Sequence, residues 1–464
     1  MIRFFNTLSG KKESFRTLVP GKVKLYTCGP TVYDFAHIGN FRAYIFEDLL
    51  KRFLIFMGFK VQHVMNITDV DDKTIRSAKA RGISLQEYTK TFIDSFFEDI
   101  QALNILKADH YPRATEFIPQ MTKMIEGLLQ KGYAYKKNGS VYFEISKFPD
   151  YGKLSGINLE ELKSGGRVDA DEYEKESVHD FALWKEKKEG EFYWDSDIGP
   201  GRPGWHIECS VMSSSYFGPS LDIHCGGVDN IFPHHENERA QSEAFFGQKF
   251  VNIWMHCHHL IVEGEKMSKS KGNQYTIQDI RSKECDPLAL RLLLLSTHYR
   301  KTLNFSFKTL EQSVKSLSRI RNFLDELKNP SIESGHNASI ERMIEESQRK
   351  FIEGLSDDLN ISVSLTALFD LIKKVNVLMI KNQVFKDDAE KLMRHIRNLD
   401  QVLGLLPDER AQEISSEILE KIKERERARA NKNYALADKI RNELIEQGIH
   451  LEDTKDGVRW KIWK

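Results

Sequence analysis

The sequence predicts an α/β protein built on a doubly wound parallel sheet, with an insertion, a helical bundle and a small C-terminal domain. Strand and helix patterns alternate over residues 20–110 and again over 205–265, as they do in parallel sheets with helices on both faces. Apolar residues recur at helical spacing almost throughout 310–405. Residues 421–441 carry eight Lys and Arg against three acidic residues, which marks the tail as a separate basic module.

Length and composition indicate a large enzyme. A chain of 464 residues predicts two to four domains, and a formal net charge of zero gives no overall bias towards nucleic acid. No apolar stretch approaches the ~18 residues of a membrane span, and the N-terminus lacks the apolar run of a signal peptide. Five cysteines argue against a disulfide framework. We therefore expect a cytoplasmic monomer that does not contact a membrane.

A first motif, PTVYDFAHIGN at residues 30–40, lies between a predicted strand at 23–27 and a predicted helix at 41–54. His37 and Gly39 then occupy a strand-to-helix turn, where free backbone N–H groups and the helix dipole favour a phosphate. A capped helix start with an incidental histidine would have the same pattern, so the motif alone leaves both interpretations open.

A second motif, KMSKS at residues 266–270, is bounded by Gly264 and Gly272. Lys266 and Lys269 would supply ammonium groups to phosphate oxygens that gain charge during transfer. A surface loop rich in lysine would look similar, but the two motifs in this order predict the two halves of one ATP site.

Cysteine, histidine and glutamate side chains suggest a metal site. Cys28 precedes the first motif, Cys209 closes the segment GWHIEC, and His234 and Glu238 are spaced i, i+4. All four are competent zinc ligands, and tetrahedral zinc needs four. If Pro233 is the first helical residue, His234 and Glu238 share one helix face, while the alternatives His235 and Glu236 face elsewhere. A chance spacing remains an alternative, since the chain has no Cys-x-x-Cys; Cys225, Cys257 and Cys285 are competing thiols.

The two motifs resemble the HIGH and KMSKS elements of class I aminoacyl-tRNA synthetases, which have a Rossmann-like catalytic domain. Asn40 stands where the first element has its second histidine; it can donate a hydrogen bond but cannot carry charge, so more weight falls on His37. Within that class the PTVY run, NITDVDDK at 66–73 and the GGVD…HHENE block at 226–238 are similar to the cysteinyl-tRNA synthetase family. The resemblance extends from about residue 20 to the C-terminus.

This resemblance implies ATP-dependent ligation of L-cysteine to tRNA(Cys) through a cysteinyl adenylate. It implies one Zn²⁺ per chain on Cys28, Cys209, His234 and Glu238, with the substrate sulfur as an added ligand that distinguishes cysteine from serine. Mg²⁺ would accompany ATP. The implied catalytic residues are His37, Asn40, Lys266 and Lys269. Those four, Gly39, Gly226, Gly227 and Asp229 would bind ATP, although Asp229 could instead cap the following helix. Thr31, Thr68, Trp205 and His224 would line the substrate pocket.

The expected domains are a Rossmann-like catalytic domain (1–110 and 201–265), a connective insertion (111–200), a KMSKS loop and stem-contact region (266–312), a helical anticodon-binding bundle (313–405) and a small basic domain (406–464). The last contains Trp460, an aromatic suited to RNA stacking. Two other functions stay open: a related cysteine–amino-sugar ligase, which would not need the basic tail, and a non-catalytic RNA-binding protein, which would not need His37 or the motif lysines.

Overall fold

A computed structural model describes residues 1–157, 180–189, 191–268, 271–328, 335–406, 416–431, 433–446, 449–454 and 457–462. By its internal contacts the chain divides into two compact units, residues 1–403 and 404–464. Among the described residues, no helix is both long enough and apolar enough to cross a membrane.

The regular elements of the described residues alternate along most of the first unit. The strands are β1 (Arg3–Asn6), β2 (Lys11–Ser14), β3 (Lys22–Thr27), β4 (Lys60–Met65), β5 (Ala134–Lys137), β6 (Ser140–Glu144), β7 (Asp180–Glu186), β8 (Gly201–Pro203), β9 (Leu221–Gly227), β10 (Val251–Cys257), β11 (Leu260–Val262), β12 (Glu265–Lys266), β13 (Leu303–Phe305), β14 (Ile449–Thr454) and β15 (Gly457–Ile462). The α-helices are α1 (Ile38–Phe56), α2 (Asp72–Arg81), α3 (Leu85–Ala102), α4 (Ile118–Gln130), α5 (Trp205–Phe217), α6 (Glu236–Phe246), α7 (Ile277–Ser282), α8 (Pro287–Leu295), α9 (Phe307–Leu327), α10 (Ala338–Ser356), α11 (Ile361–Ile380), α12 (Lys386–Leu403), α13 (Ser416–Ala430) and α14 (Tyr434–Glu446).

The central sheet has the order β10-β9-β3-β4, and every pair in it is parallel. Helix α1 connects β3 to β4, and α6 connects β9 to β10. After the two inner strands, β3 and β9, the chain therefore continues to opposite edges of the sheet. In such a sheet the ligand crevice lies outside the carboxyl ends of the two inner strands. The predicted parallel sheet with helices is confirmed, and the crevice between β3 and β9 locates the candidate site.

The insertion forms a second sheet of four antiparallel strands in the order β5-β6-β7-β8. Helix α2 of the catalytic half is tied to it through Asp72. One oxygen of Asp72 lies 2.6 Å from Nη2 of Arg202, and the other lies 3.2 Å from Nζ of Lys185. The insertion is therefore ionically joined to the segment that follows β4.

Helices α9 to α12 follow the catalytic half, and the loop between α10 and α11 is anchored back to it. Asp358 in this loop has a left-handed φ of 63° and a fully buried carboxylate. That carboxylate accepts hydrogen bonds from the Phe5 amide (2.8 Å), the Tyr299 hydroxyl (2.6 Å) and Nε of Arg300 (2.8 Å). These bonds connect the helical part to β1 and to the segment after α8.

The second unit consists of α13, α14 and the antiparallel hairpin β14–β15. Ile422, Ile440, Leu444, Ile449 and Leu451 form its small apolar core. Trp460 lies in β15, and the predicted exposure of its side chain stays a prediction.

A buried ionic network fixes α1 against α8 and α12. The carboxylate of Asp48 on α1 pairs with Arg291 and, at 2.8 Å, with Nε of Arg52. Arg291 also donates to the carbonyls of Leu403 (2.7 Å) and Leu103 (3.0 Å). Burial alone would raise the pKa of Asp48, but the two guanidinium groups outweigh it and lower that pKa. The carboxylate is therefore ionised and balances two buried cations.

We expect Asp48→Ala to lower the free energy of unfolding of the first unit by about 3–5 kcal/mol, because it leaves buried guanidinium groups without their counter-charge. Denaturant unfolding measures this loss. The control is Asp94→Ala, which removes an exposed partner of Lys90 and should cost about 1 kcal/mol or less. Equal losses in the two variants would show that the buried network contributes no more to the free energy of unfolding than an exposed ion pair does.

Candidate active site

The crevice at the carboxyl ends of β3 and β9 collects most of the predicted site residues. Cys28 comes directly after β3, and its amide donates to the Cys225 carbonyl at 3.2 Å. Gly226 and Gly227 end β9, and helix α5, which carries Cys209, begins only at Trp205, after the insertion. Residues distant in sequence therefore meet because neighbouring parallel strands end at the same edge.

Cys28, Cys209, His234 and Glu238 offer ligand atoms that all lie within 4.8 Å of one another. Nε2 of His234 lies 3.0 Å from Oε1 of Glu238, and Sγ of Cys28 lies 3.9 Å from the same oxygen. Tetrahedral zinc with ligands at about 2.0–2.3 Å separates its ligand atoms by about 3.3–3.8 Å. The donor set thus has the size and the chemistry of a metal site.

A second group of possible ligands overlaps the first and consists of Cys28, His224, His235 and Glu238. Here the expectation that His235 faces away is wrong, because its Nε2 lies 3.2 Å from Sγ of Cys28. The α-helix does not begin at Pro233. Residues Ile231–His235 form a wide turn in which Phe232 is extended, the Phe232–Pro233 peptide is cis, and α6 starts only at Glu236. His235 itself has helical backbone angles and lies three residues before Glu238, a spacing that shares a helix face, and its Nε2 lies 3.9 Å from Oε1 of Glu238.

Burial and charge together decide which side chains of the cluster are in ligand form without a metal. Burial would lower the pKa of His234, but the charges on Glu238 and Cys209 outweigh it and raise that pKa to about 10, so His234 carries a proton that a metal would have to displace. Burial raises the pKa of Cys28, as do its hydrogen bond to Cys209 and the nearby negative charges. Burial opposes ionisation of Cys209 as well, but hydrogen bonding to Cys28 and the charge on His234 bring the pKa of Cys209 to about 6. Burial likewise raises the pKa of Glu238, yet His224 and His234 lower it to about 2. At neutral pH one thiolate and one carboxylate are therefore available as ligands.

Aromatic and histidine side chains hold these donors in place. Trp205 stacks on the ring of His234, with centroids 4.1 Å apart, and Nδ1 of His206 lies 3.0 Å from Nδ1 of His234. His224 is fully buried, and its Nε2 lies 3.0 Å from the second oxygen of Glu238. Such partners of ligand side chains fix their orientation and tune their affinity.

A further chain of hydrogen bonds leads away from the cluster. Nδ1 of His235 lies 2.8 Å from Nε2 of His256, whose Nδ1 lies 2.7 Å from the Thr7 hydroxyl. No residue pattern in the sequence connects Thr7 to this site.

Thr31 and Thr68 lie beside each other at the mouth of the crevice. Their segments pair in parallel: the Val32 amide donates to the Thr68 carbonyl, and the Thr68 amide donates to the Pro30 carbonyl, both at 3.0 Å. The Thr68 hydroxyl donates to the buried carboxylate of Glu208 at 3.1 Å. Glu208 was missed in the sequence, although it directly precedes Cys209.

The first motif begins helix α1 with a reciprocal cap. His37 is the N-cap residue, and its Nδ1 accepts from the Asn40 amide at 3.3 Å. Oδ1 of Asn40 in turn accepts from the His37 amide at 3.0 Å. The capped helix start that the sequence left open is therefore present, and Oδ1 of Asn40 is the acceptor that a capping box needs.

This cap determines the proton position on His37. Burial lowers the pKa of His37, with the Asp229 charge opposing it, so the ring is neutral at pH 7. Because Nδ1 accepts a hydrogen bond, the proton of the neutral ring belongs on Nε2. His37 therefore offers one N–H donor for an anion.

The second motif lies directly against the first. The Ile38 amide donates to the Tyr275 carbonyl at 2.8 Å, and His37 bridges to Thr276. A β-carbon on Gly39 would come within 2.5 Å of Cε of Met267, the residue between Lys266 and Ser268. Lys266 ends β12 and is exposed, whereas Lys269 lies outside the described residues.

Gly226, Gly227 and Asp229 lie at the end of β9. A β-carbon on Gly226 would come within 2.8 Å of the His235 ring, and one on Gly227 within 2.3 Å of Oδ1 of Asp229. Asp229 is exposed in a 3₁₀ turn and acts on the pKa of His37. No side-chain cap is present at the described helical segments that begin at Val228, Ile231 and Glu236. Asp229 therefore faces the crevice and does not cap the following helix.

A doubly wound parallel sheet with a cluster of possible metal ligands and two neighbouring loops at its carboxyl edge has the crevice in which α/β enzymes of this kind bind nucleotides. The model of the family described as tRNA synthetases class I (C) catalytic domain matches residues 14–315, and the DALR domain model matches residues 350–407. Among solved structures, methionyl-tRNA synthetase of Mycobacterium tuberculosis with methionyl-adenylate has a TM-score of 0.60 at 14% identity, over 83% of this chain and 90% of that one. The ternary LeuRS–tRNA–LeuAMS complex of Agrobacterium radiobacter has a TM-score of 0.59 at 13% identity, over 84% and 85%. These two likenesses support the fold alone.

Full-length relatives narrow the class. A cysteine–tRNA ligase of Chlamydia trachomatis serovar A is 50% identical over 98% of both chains. The cysteine–tRNA ligase of Chlamydia muridarum is 48% identical over 98% of both chains. The cysteine–tRNA ligase of Brachyspira hyodysenteriae is 48% identical over 99% of both chains. The chain belongs to the cysteine–tRNA ligase family of class I aminoacyl-tRNA synthetases.

We expect Gly39→Ala to slow ATP–pyrophosphate exchange by about tenfold or more, since a new methyl group would displace Met267 or the His37 ring from the phosphate-facing turn. The double variant Gly39→Ala, Met267→Ala is the matched test. Recovery of exchange in the double variant would assign the loss to contact between the two motifs. No loss in Gly39→Ala itself would contradict their close packing.

Proposed function

We propose that this protein ligates L-cysteine to tRNA(Cys) at the expense of ATP, through a cysteinyl-adenylate intermediate. The observation that carries the proposal is the juxtaposition at one sheet edge of a two-thiol donor cluster and the two motifs, which approach each other at Gly39 and Met267. One part suits a thiol-bearing amino acid and the other suits a triphosphate. The family membership of the whole chain supports the same activity.

The metal proposed for the cluster is zinc, one per chain, held by Cys28, Cys209, His234 and Glu238. Two sulfur donors favour zinc over the hard cations Mg²⁺ and Ca²⁺, which prefer oxygen ligands. When bound, zinc favours a thiolate over a hydroxyl, which is the selectivity that a cysteine enzyme needs against serine. Of the two overlapping donor groups we favour this one, because it supplies two sulfur donors, whereas the group with His224 and His235 supplies only that of Cys28.

The catalytic roles are assigned to the motif side chains. His37 would donate from Nε2 to a phosphate oxygen, and Asn40, whose Oδ1 is used in the cap, could offer its NH₂ group to another. Lys266 and Lys269 would hold the departing pyrophosphate, with Mg²⁺ neutralising the triphosphate. Gly39, Gly226 and Gly227 would allow close approach of the nucleotide, and Asp229 would bind the ribose hydroxyls.

The cysteine pocket is assigned to Thr31, Thr68, Trp205 and His224. Trp205 would form a wall of the pocket from its stacked position on His234. His224 would act through Glu238, since it is fully buried behind that carboxylate. Thr68 would orient polar groups of the substrate together with Glu208.

The remaining parts are assigned to RNA. We propose the domain limits 1–110 with 201–265, 111–200, 266–312, 313–405 and 406–464, with tRNA bound by the last three. The compact second unit, which begins at residue 404, supports a separate C-terminal domain. A cysteine–amino-sugar ligase is the second candidate, and no specific contact favours it over the RNA ligase. Monomeric state and cytoplasmic location stay predictions.

We expect the purified protein to contain about one zinc per chain, and Cys209→Ala to lose it, because a tetrahedral site with three protein donors binds zinc far less tightly. Elemental analysis after dialysis measures the content. Cys225→Ala is the control: Cys225 is a buried thiol outside both donor groups, and its variant should keep full zinc content.

His224→Gln distinguishes the two overlapping donor groups. If His224 only orients Glu238, this variant still binds one zinc, about 10- to 100-fold more weakly. If His224→Gln loses its zinc completely and Cys209→Ala retains it, the zinc site is the second donor group.

The function itself is tested by ATP-dependent transfer of labelled cysteine onto tRNA(Cys), with serine in parallel. We expect cysteine to be preferred by about 10⁴-fold or more in kcat/KM, the scale reached when a substrate group satisfies a bond that the site is built to make. Cysteine activation without transfer to RNA would favour the amino-sugar ligase. If cysteine is not activated at all, the remaining hypothesis is a non-catalytic RNA-binding protein.

A further inference from the structure

The hairpin of α2 and α3 closes a cavity of about 330 Å³ against the first motif. Its walls come from Tyr33 to Phe35 of the motif, from Ser77 and Arg81 of α2, and from α3, beginning at Tyr88. None of the residues assigned above to metal, ATP or cysteine is among the described residues that line it. Ligand pockets usually enclose about 300–1,000 Å³, so this cavity suits a single small planar group.

Planar side chains dominate the cavity. The ring of Phe35 is 41% exposed and meets the edge of the Phe92 ring at 5.0 Å. The guanidinium of Arg81 lies 5.0 Å from the centre of the Tyr88 ring, and the Tyr88 hydroxyl donates to the Tyr33 carbonyl at 2.7 Å. Exposed aromatic rings and arginine planes are the surfaces on which proteins stack unpaired bases.

The α2 wall of the cavity is basic. Helix α2 carries Lys73, Arg76, Lys79 and Arg81, and its acidic residue, Asp72, is paired with Arg202 and Lys185. Among the residues that line the cavity, Asp34 is the acid, and its Oδ1 accepts from the Phe35 amide at 2.9 Å. An aromatic cavity with Arg81 in its wall fits a nucleotide of an RNA strand, whose phosphate that guanidinium can neutralise.

The cavity also lies at the right place along such a strand. Phe35 is two residues before His37, so their Cα atoms are no more than about 7 Å apart. Stacked nucleotides follow one another at about 3.4 Å. A nucleotide in the cavity is therefore within one or two positions of a nucleotide that reacts beside His37. A duplex cannot enter a cavity of this size, but an unpaired end can.

We propose that this cavity binds the unpaired nucleotide that precedes the terminal adenosine of tRNA, with its base stacked on Phe35 and Arg81 set against its base or phosphate. The inference rests on the proposed function, because it uses the same site and names where the RNA end lies. It adds Phe35 and Arg81 as residues that position the RNA for transfer.

The test compares Phe35→Ala and Arg81→Gln in two assays on the full-length protein. Loss of one base stack is worth about 1–3 kcal/mol, so kcat/KM for tRNA in cysteine transfer should fall about 5- to 150-fold. ATP–pyrophosphate exchange with cysteine should change less than about twofold, because adenylate formation does not involve RNA. Arg76→Gln is the matched control, since Arg76 is an exposed arginine of the same helix that does not line the cavity.

A second measurement identifies the bound group. Affinities of the wild type and Phe35→Ala are compared for a tRNA(Cys) transcript with its complete 3′ end and for one lacking the unpaired 3′ nucleotides. The difference between the two proteins should vanish with the shortened transcript, as in a double-mutant cycle. Equal weakening on both transcripts, unchanged binding and transfer, or equal loss of exchange and transfer would each overturn the proposal. A wild-type protein that transfers no cysteine would refute the proposed function instead. The affinity comparison would still test whether Phe35 contacts the 3′ nucleotides, because it needs no activity.

Discussion

The parallel pairing of β3 with β9 is the constraint on which the rest of the site depends. It places the end of one strand, with Cys28, beside the end of the other, with Gly226 and Gly227. Because consecutive side chains of a strand alternate between faces, a shift of one residue would turn Tyr26 and His224 away from their present neighbours. The donor cluster is thus a consequence of strand register, and its four members come from three separate segments of the chain.

Burial gives this cluster its electrostatic character. Glu238 is completely buried, yet its carboxylate stays ionised because His224 and His234 each approach it at 3.0 Å. A buried carboxylate without such partners would take up a proton and lose its value as a ligand. The same imidazoles therefore stabilise the fold of the site and keep its donors ready for a cation.

The contact between the two motifs has a different origin. A reciprocal cap orients His37 at the start of α1, and the absence of a β-carbon at Gly39 lets Met267 approach. Backbone hydrogen bonding from Ile38 to Tyr275 then holds the second motif beside the first. The two loops are positioned largely by main-chain geometry, so the exposed side chain of Lys266 need not contribute to the packing.

The sequence by itself determined the parallel α/β class, the two motifs and the family, since these follow from local periodicity and from short residue patterns. Its prediction for His235 was wrong, because residues three apart on a helix share a face as residues four apart do, and His235 lies three residues before Glu238. It also could not show that Asn40 closes a cap, that Glu208 accepts from Thr68, or that Thr7 is linked through His256 to the donor cluster. Only the tertiary structure decided these points, because they depend on contacts between segments that are far apart in the chain, or on turn geometry that no residue pattern encodes.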